Sequence, residues 1–258
     1  MQIKKIQDYL LPLIPIISFF ILWELFANLD IINSALFAKP SLIFSRMYEL
    51  LPELINHLLS TLYRLVISFI IALFLGTFLG MAMGYKKAIY RFFNPLITSI
   101  MTIPGIAMAP IFIVWLGFGD PTIITIGIIV AFFPIVYNAA MGARSVDKQM
   151  INAAKTMGAK RKHIILKILI PHSAAYLIIG LKLGLSRCWR TIIAVEFIAA
   201  TSYGLGFMIW DSFEYLNVSV VYGGIIVLAV IFFTLEKTII KELENRTIER
   251  WGVMQDYE

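Results

Sequence analysis

The sequence predicts an all-α membrane protein with six transmembrane helices. Its 258 residues are 60% apolar and 15% charged, and the mean hydropathy is +0.84. Soluble domains average about 45–50% apolar and about 25% charged residues, so an ordinary soluble enzyme is excluded. Six apolar segments are each long enough to cross about 30 Å of hydrocarbon as a helix. They are residues 9–29, 62–84, 95–118, 122–141, 173–200 and 219–235.

The first segment follows Lys4 and Lys5, as the apolar part of a signal peptide would. Its apolar run is too long for that, and Glu24 lies near its end, so we interpret it as a retained helix. It belongs to an N-terminal region, residues 1–59, which includes an outer loop. A core membrane domain is predicted at residues 60–235 and a cytoplasmic tail at residues 236–258.

The basic residues indicate which loops face the cytoplasm. Most of the 22 Lys and Arg residues lie beside the termini, between the second and third segments, or between the fourth and fifth. By the positive-inside rule, both termini are expected in the cytoplasm of a multi-pass protein of the cell membrane. This topology explains the net charge of +6, so membrane lipid is an expected partner and nucleic acid is not.

Glycines at four-residue spacing predict close helix packing. Gly76, Gly80 and Gly84 recur in the second segment, and Gly180 and Gly184 repeat the spacing in the fifth. Small residues at this spacing line one helix face and let a second backbone approach closely. We expect intramembrane packing at these positions rather than contact with a ligand.

The third segment contains residues that interrupt a helix. Pro104 and Gly105 are followed by Pro110 and by the run 117–121, which holds two glycines and a proline. Proline removes a backbone donor and kinks a helix. A helix broken at membrane depth is tolerated where protein or a water-filled cavity covers the freed carbonyls, which favours a place beside a pathway. A purely structural kink is the alternative.

The cytoplasmic loop at residues 144–171 is predicted to hold two short helices. Asp147 is a good N-cap, Gly158 is well placed as a C-cap glycine, and a second helix is expected at about residues 160–170. Met150, Ala154 and Met157 recur at helical spacing and predict one apolar face. This amphipathic helix either rests on anionic lipid or docks to a cytoplasmic partner.

The cytoplasmic loop reads Asn152-Ala153-Ala154-x-x-x-Gly158-Ala159, followed by Ile168-x-x-Pro171. This pattern resembles the EAA loop of ABC importer permeases. Asn152 replaces the Glu of the motif. The sequence from about residue 60 to 235 also resembles the nitrate, taurine and alkanesulfonate branch. The further matches are at 61–64, 103–104, 110, 115–119, 133–134, 142–147, 194–196 and 204–206.

The resemblance implies a type I ABC importer transmembrane domain. Two copies would pair as a homodimer, two ATPase subunits would bind below them, and an external substrate-binding protein would deliver the cargo. The loop would contact the ATPase through Asp147, Met150, Asn152, Ala153, Ala154, Met157, Gly158 and Ala159. The chain lacks the GxxxxGK[ST] pattern, so ATP and Mg²⁺ are expected on the partner, and the chain is expected to be neither an enzyme nor a cofactor protein.

Charged residues inside the fifth segment are candidates for a substrate pathway. Intramembrane ionisable groups are costly and usually face a protein interior or a wet pathway. The candidate set is Lys182, Arg187, Trp189, Arg190 and Glu196, together with Pro104 of the broken segment. Arg187 and Arg190 share a helix face and suit an anionic cargo. Lys182, Trp189 and Glu196 are seven residues apart and share another face. Alternatively, one of them pairs with Glu196 or with carbonyl groups of a second subunit.

The sequence is compatible with more than one cargo and more than one class of transport protein. A small anion such as a sulfonate, taurine or nitrate is expected, and a thiamine-precursor pyrimidine or riboflavin is the alternative within the same class. An autonomous channel or secondary transporter is the alternative from another class, and the EAA-like loop argues against it. His57, His163 and His172 lack the spacing of a metal site, and Cys188 is expected to be a buried, inert thiol.

Overall fold

The computed structural model describes residues 11, 13–29, 33 and 36–244, and these form helices and connecting turns. In chain order the helices are α1 (Leu13–Asn28), α2 (Pro40–Glu49), α3 (Leu51–Tyr85), α4 (Lys87–Ile100), a 3₁₀ turn (Gly105–Met108), α5 (Ala109–Leu116), α6 (Asp120–Arg144), α7 (Lys148–Thr156), α8 (Arg161–His172), α9 (Ala174–Ala199), α10 (Leu205–Glu214) and α11 (Val218–Glu244). The all-α prediction is confirmed for this part of the chain.

Three of these helices are long and apolar enough to cross a membrane: α3, α6 and α11. Two bent pairs raise the number to five when each pair is counted as one span. The helix α1, which corresponds to the first predicted segment, has 16 residues. Six spans and two cytoplasmic termini therefore stay predictions, and Lys4 and Lys5 lie outside the described residues.

The third predicted segment is two helices rather than one. Helix α4 ends at Ile100, and the helical turns from Gly105 to Leu116 leave it at an angle of 94°. Pro104 lies in the break with an extended backbone, because its ring prevents the α-helical hydrogen bond at that position. The predicted interruption is confirmed, and it redirects the chain by about a right angle.

The fifth predicted segment begins after a second bend. Helix α8 includes a π segment at Ile165–Leu169 and continues through Pro171 to His172, beyond the predicted end near residue 170. It meets α9 at 67°. At the bend, the Ser173 hydroxyl donates to the Leu169 carbonyl at 2.6 Å. A wide π turn helps to accommodate the missing N–H of the proline.

Helix α6 lies between α3 and α9 at the centre of the protein. Gly80 and Gly84 of α3 lie directly against Ala139 and Ala143 of α6, where a methyl group would collide with the neighbouring helix. On the other side of α6, a Cβ atom added to Gly180 of α9 would lie only 2.8 Å from the Cβ atom of Asn138. The predicted close approach of backbones is therefore confirmed for both sets of glycines.

A largely buried ion cluster joins these three helices on the side away from the cytoplasmic loop. It consists of Arg64 on α3, Asp120 on α6 and Glu196 on α9. The Arg64 Nη1 atom lies 2.7 Å from Glu196 Oε1, and its Nε atom lies 2.8 Å from Asp120 Oδ1. Glu196 is fully buried and Arg64 is 5% exposed, whereas the Asp120 side chain is 47% exposed. The cluster thus connects the three central helices.

A hydroxyl and a backbone N–H complete the hydrogen bonding of Glu196. The Thr61 hydroxyl donates to Glu196 Oε1 at 2.9 Å and accepts from the Leu205 N–H at 2.8 Å. The Gly206 N–H donates to Glu196 Oε2 at 2.9 Å. Gly204 has φ +152°, and a side chain there would meet both Arg64 and Glu196, so glycine is required on two grounds.

Replacing Arg64 with Met should destabilise the protein by about 3–5 kcal/mol, because it leaves a buried carboxylate without its cation. Unfolding of the purified chain in detergent, followed by circular dichroism against denaturant, measures this loss. Arg46→Met is the matched control, because Arg46 pairs with Glu49 on the surface, where both side chains are about half exposed. An exposed pair contributes about 0–1 kcal/mol. Equal stability of the two variants would contradict the structural role of the cluster.

Candidate functional site

The first candidate site is the cytoplasmic loop, whose helix α7 is capped at both ends. Asp147 accepts a hydrogen bond from the Gln149 N–H at 2.9 Å, as predicted for an N-cap. At the other end, the Gly158 N–H bonds to the Lys155 carbonyl and the Ala159 N–H bonds to the Ala154 carbonyl, both at 2.9 Å. With φ +81° at Gly158, this is a Schellman motif. The predicted C-cap glycine is confirmed.

The exposed side of α7 carries large apolar residues. Met150 is 51% exposed and Met157 is 87% exposed, and Asn152, Ala153 and Gly158 are exposed with them. Ala154 and Ala159 are half-buried. The predicted apolar face therefore exists, but its two methionines point away from the described protein.

A residue that the sequence analysis did not single out fixes α7 to the rest of the fold. Ile151 packs against a small core formed by Met81 of α3, Ala143 at the end of α6, Val146, Ile164 and Leu169. Ile151 is one residue from Met150, so it lies on a different side of the helix. The sequence does contain a signal for this contact, because Ile151 is apolar but lies outside the helical spacing of the predicted face. The orientation of α7 follows, because packing of Ile151 turns the methionines outward.

The second candidate site is a cavity at the break in the third segment. It has a volume of about 250 Å³ and lies between the 100–105 turn, α6 and α9. Of the predicted pathway residues, Pro104 and Arg187 line it. Arg187 Nη1 donates to the Met101 carbonyl at 3.2 Å, so a carbonyl freed by the broken helix is paired with a guanidinium. Thr191, one turn along α9, also lines the cavity and was missed from the sequence.

The other predicted pathway residues have different surroundings. Arg190 is exposed and bonds to its own helix, with Nη2 at 2.7 Å from Ser186 Oγ. Lys182 Nζ lies 3.3 Å from Glu236 Oε1 and connects α9 with α11. These two residues do not line the cavity.

Trp189 and Glu196 lie in the protein core and not beside the cavity. Trp189 is 3% exposed and stacks on Phe232 at a centroid distance of 5.7 Å. Glu196 is fully buried in the ion cluster. The seven-residue spacing predicts that Lys182, Trp189 and Glu196 share one face of α9. It could not show that α11 covers part of this face, at Trp189. The partner of Glu196 is Arg64, and neither Arg187 nor Arg190 pairs with it.

In the described part of the chain, no group of three or more His, Cys, Asp or Glu side chains is arranged to hold a metal ion. His57 is buried instead against the 200–207 segment, where its Nδ1 atom lies 2.9 Å from the Gly204 carbonyl oxygen. Cys188 is buried on α9, as predicted.

Comparison with known proteins identifies the family. Residues 72–236 match the family described as binding-protein-dependent transport system inner membrane component. The taurine transport system permease protein TauC of Escherichia coli is 33% identical over 174 residues, which are 67% of this chain and 62% of TauC. The aliphatic sulfonates transport permease protein SsuC of Bacillus subtilis is 30% identical over 148 residues, 57% of this chain and 53% of SsuC. The chain thus spans less than two thirds of these relatives.

A solved structure shares the fold. The superposition on a chain of the MetNI methionine ABC transporter in an inward-facing conformation has a TM-score of 0.61 at 19% identity. It covers 76% of this chain and 98% of that chain. The fold is thus that of a type I ABC importer permease. From the family match, the chain belongs to the binding-protein-dependent transport system inner membrane components, as a multi-pass membrane protein of the ABC permease class.

Proposed function

We propose that this chain is the transmembrane permease subunit of an ATP-driven importer that carries a small organic or inorganic anion. An external binding protein delivers the cargo, and a cytoplasmic ATPase drives the transport. The observation that carries this proposal is the exposed methionine face of α7 within the EAA-like loop. The relatives named for transport of taurine and aliphatic sulfonates support the class of cargo.

The exposed face of α7 suits docking to an ATPase subunit. Met150 and Met157 present two flexible, exposed thioether side chains on one side of α7, and such side chains adapt to an apolar groove. Exposed apolar patches of this kind commonly mark protein interfaces. The caps at Asp147 and Gly158 fix both ends of the helix, so force from the ATPase would reach α6 and α8 without first melting α7. ATP and Mg²⁺ would then bind on the ATPase, and this chain would perform no covalent chemistry.

The cavity at the broken segment suits the passage of an anion. Arg187 lies 13 residues after the start of α9, which is about 20 Å along the helix and therefore deep in the hydrocarbon. Its guanidinium already contacts the Met101 carbonyl and has further donors available. A sulfonate or carboxylate oxygen could accept from these donors in a bidentate contact. Thr191 would add a hydroxyl on the same side.

A second copy of the chain would cover the charged face of α9. Arg187 and Arg190 are both exposed in the single chain. Charged groups at membrane depth do not face lipid but a bundle interior or a wet pathway. We therefore propose that two copies pair, with this face of α9 turned toward the pathway between them.

Replacing Gly158 with Pro should uncouple ATP hydrolysis from uptake. Proline fixes φ near −65° and lacks the N–H that bonds to Lys155, so the Schellman cap is lost and the orientation of α7 changes. We expect uptake to fall at least about tenfold, while membrane insertion is retained. Radiolabelled taurine uptake by cells and ATP hydrolysis by the co-purified complex provide the two readouts.

Gly158→Asn is the matched control for that variant. Asn tolerates positive φ better than other residues, and nothing lies within 4 Å of the position of an added Cβ atom. The control should keep most of the uptake. Normal uptake in the Gly158→Pro variant would contradict the docking role of the loop.

Arg187→Leu should lower the uptake of an anionic cargo by about tenfold or more, because a charge-assisted hydrogen bond is lost. Arg190→Leu should have a smaller effect, because its guanidinium bonds to Ser186 of its own helix. Uptake of taurine and an alkanesulfonate, normalised to membrane content, measures the difference, and Arg46→Leu on α2 controls for expression. Unchanged anion uptake in Arg187→Leu, or transport of a neutral pyrimidine instead, would contradict the anion assignment.

A further inference from the structure

A second cavity lies on the cytoplasmic side, beneath α7. Its volume is about 390 Å³, and it is an open cleft between α7, the ends of α3 and α6, and α8. Its lining residues are Gly84, Tyr85, Ala143, Lys148, Ile151, Asn152, Lys155 and Leu169. The ion cluster and the cavity at Arg187 lie elsewhere in the fold, so this is a separate feature.

One face of α7 provides the polar groups of this cavity. Residues at spacing i, i+3, i+4 and i+7 share one side of a helix. On α7 these positions are Lys148, Ile151, Asn152 and Lys155. The methionines occupy another side and are exposed. Helix α7 therefore has an apolar face and a basic face, and its exposed lysines border an open cleft.

The cavity is positively charged and lacks a counter-ion. None of its lining residues is acidic. In the described residues, Lys148 and Lys155 take part in no ion pair. Arg161 adds a third cation at the edge, since its guanidinium carbon lies 4.9 Å from the centre of the Tyr85 ring. Asn152 stands between the two lysines on this face and contributes an uncharged amide.

We propose that this cavity binds a phosphate group, carried by the head group of an anionic phospholipid in the cytoplasmic leaflet or by a free phosphate anion. Basic pockets between transmembrane helices on the cytoplasmic side are typical sites for anionic head groups. The volume falls in the range of about 300–1,000 Å³ that holds a whole small molecule, which favours a head group over a lone phosphate. A bound anion would bridge Lys148 and Lys155 and hold α7 against α3 and α6. This inference does not depend on the identity of the cargo or on ATPase binding.

The test uses the full-length chain, purified in detergent and depleted of lipid. Binding of phosphatidylglycerol, phosphatidylcholine and inorganic phosphate is measured by native mass spectrometry and by thermal shift. Phosphatidylglycerol should bind and raise the Tm, and phosphatidylcholine should do so much less. If inorganic phosphate alone gives the same Tm shift, the site is confirmed and the free anion is its ligand. Equal effects of both lipids would overturn the proposal.

The variant Lys148→Gln/Lys155→Gln should weaken phosphatidylglycerol binding roughly thirtyfold, from the contribution of two basic residues near an anionic surface. Lys160→Gln/Lys162→Gln is the matched control, because it removes the same charge from the same loop outside the cavity lining. If both double variants weaken phosphatidylglycerol binding equally, the lipid is held only by general attraction between charges, and the proposed site is overturned.

A single substitution provides an independent check, should the double variant fold poorly. Asn152→Glu places a carboxylate between Lys148 and Lys155 and removes no packed apolar group. The carboxylate should neutralise the lysines in place of the phosphate, so phosphatidylglycerol binding should fall at least about tenfold. Asn152→Gln should bind as the unmodified chain does. Undiminished binding by Asn152→Glu would overturn the proposal.

Discussion

The close packing of α3 and α9 on α6 is the constraint on which the rest of the structure depends. Glycines of α3 and α9 let both helices approach the backbone of α6 more closely than any side chain would allow. At one end of α6, this packing brings Arg64, Asp120 and Glu196 within hydrogen-bonding distance. At the other end, it places Ala143 and the start of the cytoplasmic loop against Met81 and Gly84 of α3. The charged groups and the loop are therefore positioned by the same set of small residues, which is expected in lipid, where packing rather than hydrophobic burial drives helix association.

The charged residues of the three central helices have two different roles, and the role of each depends on whether its side chain is buried or exposed. Glu196 is fully enclosed and satisfied by a cation, a hydroxyl and a backbone N–H, so its role is to hold three helices and the turn before α10 together. Arg187 is exposed beside a cavity and bonds to a carbonyl that the broken helix leaves free. An intramembrane charge that is already fully paired cannot contribute much to a passing anion, whereas one with free donors can. This difference directs the proposed pathway to Arg187 and away from Glu196.

Local signals in the sequence predicted much of the fold and part of the candidate site. The spacing of Gly76, Gly80 and Gly84, the break at Pro104, the N-cap at Asp147 and the C-cap at Gly158 act within a few residues of chain, and the structure confirms each. The pairing of Arg64 with Glu196 joins residues 132 positions apart, and no local pattern indicates such a contact. Helical periodicity grouped Lys182, Trp189 and Glu196 correctly on one helix but could not reveal which neighbour covers each residue. The same limit hid the cleft that Lys148 and Lys155 line, because the position of Ile151 decides which side of α7 packs against the rest of the fold.

The central claim is that the exposed face of α7 is the surface through which an ATPase drives this permease. Site-specific photo-crosslinking tests it most directly. A benzophenone amino acid placed at Met157, which is 87% exposed, should form a covalent adduct with a nucleotide-binding subunit in membranes of cells that express the complete transporter. The same probe at Phe78, which is 79% exposed on a membrane-spanning helix, should form none. An adduct at Met157 that contains only lipid, or no ATPase adduct from any position on the outer face of α7, would contradict the account.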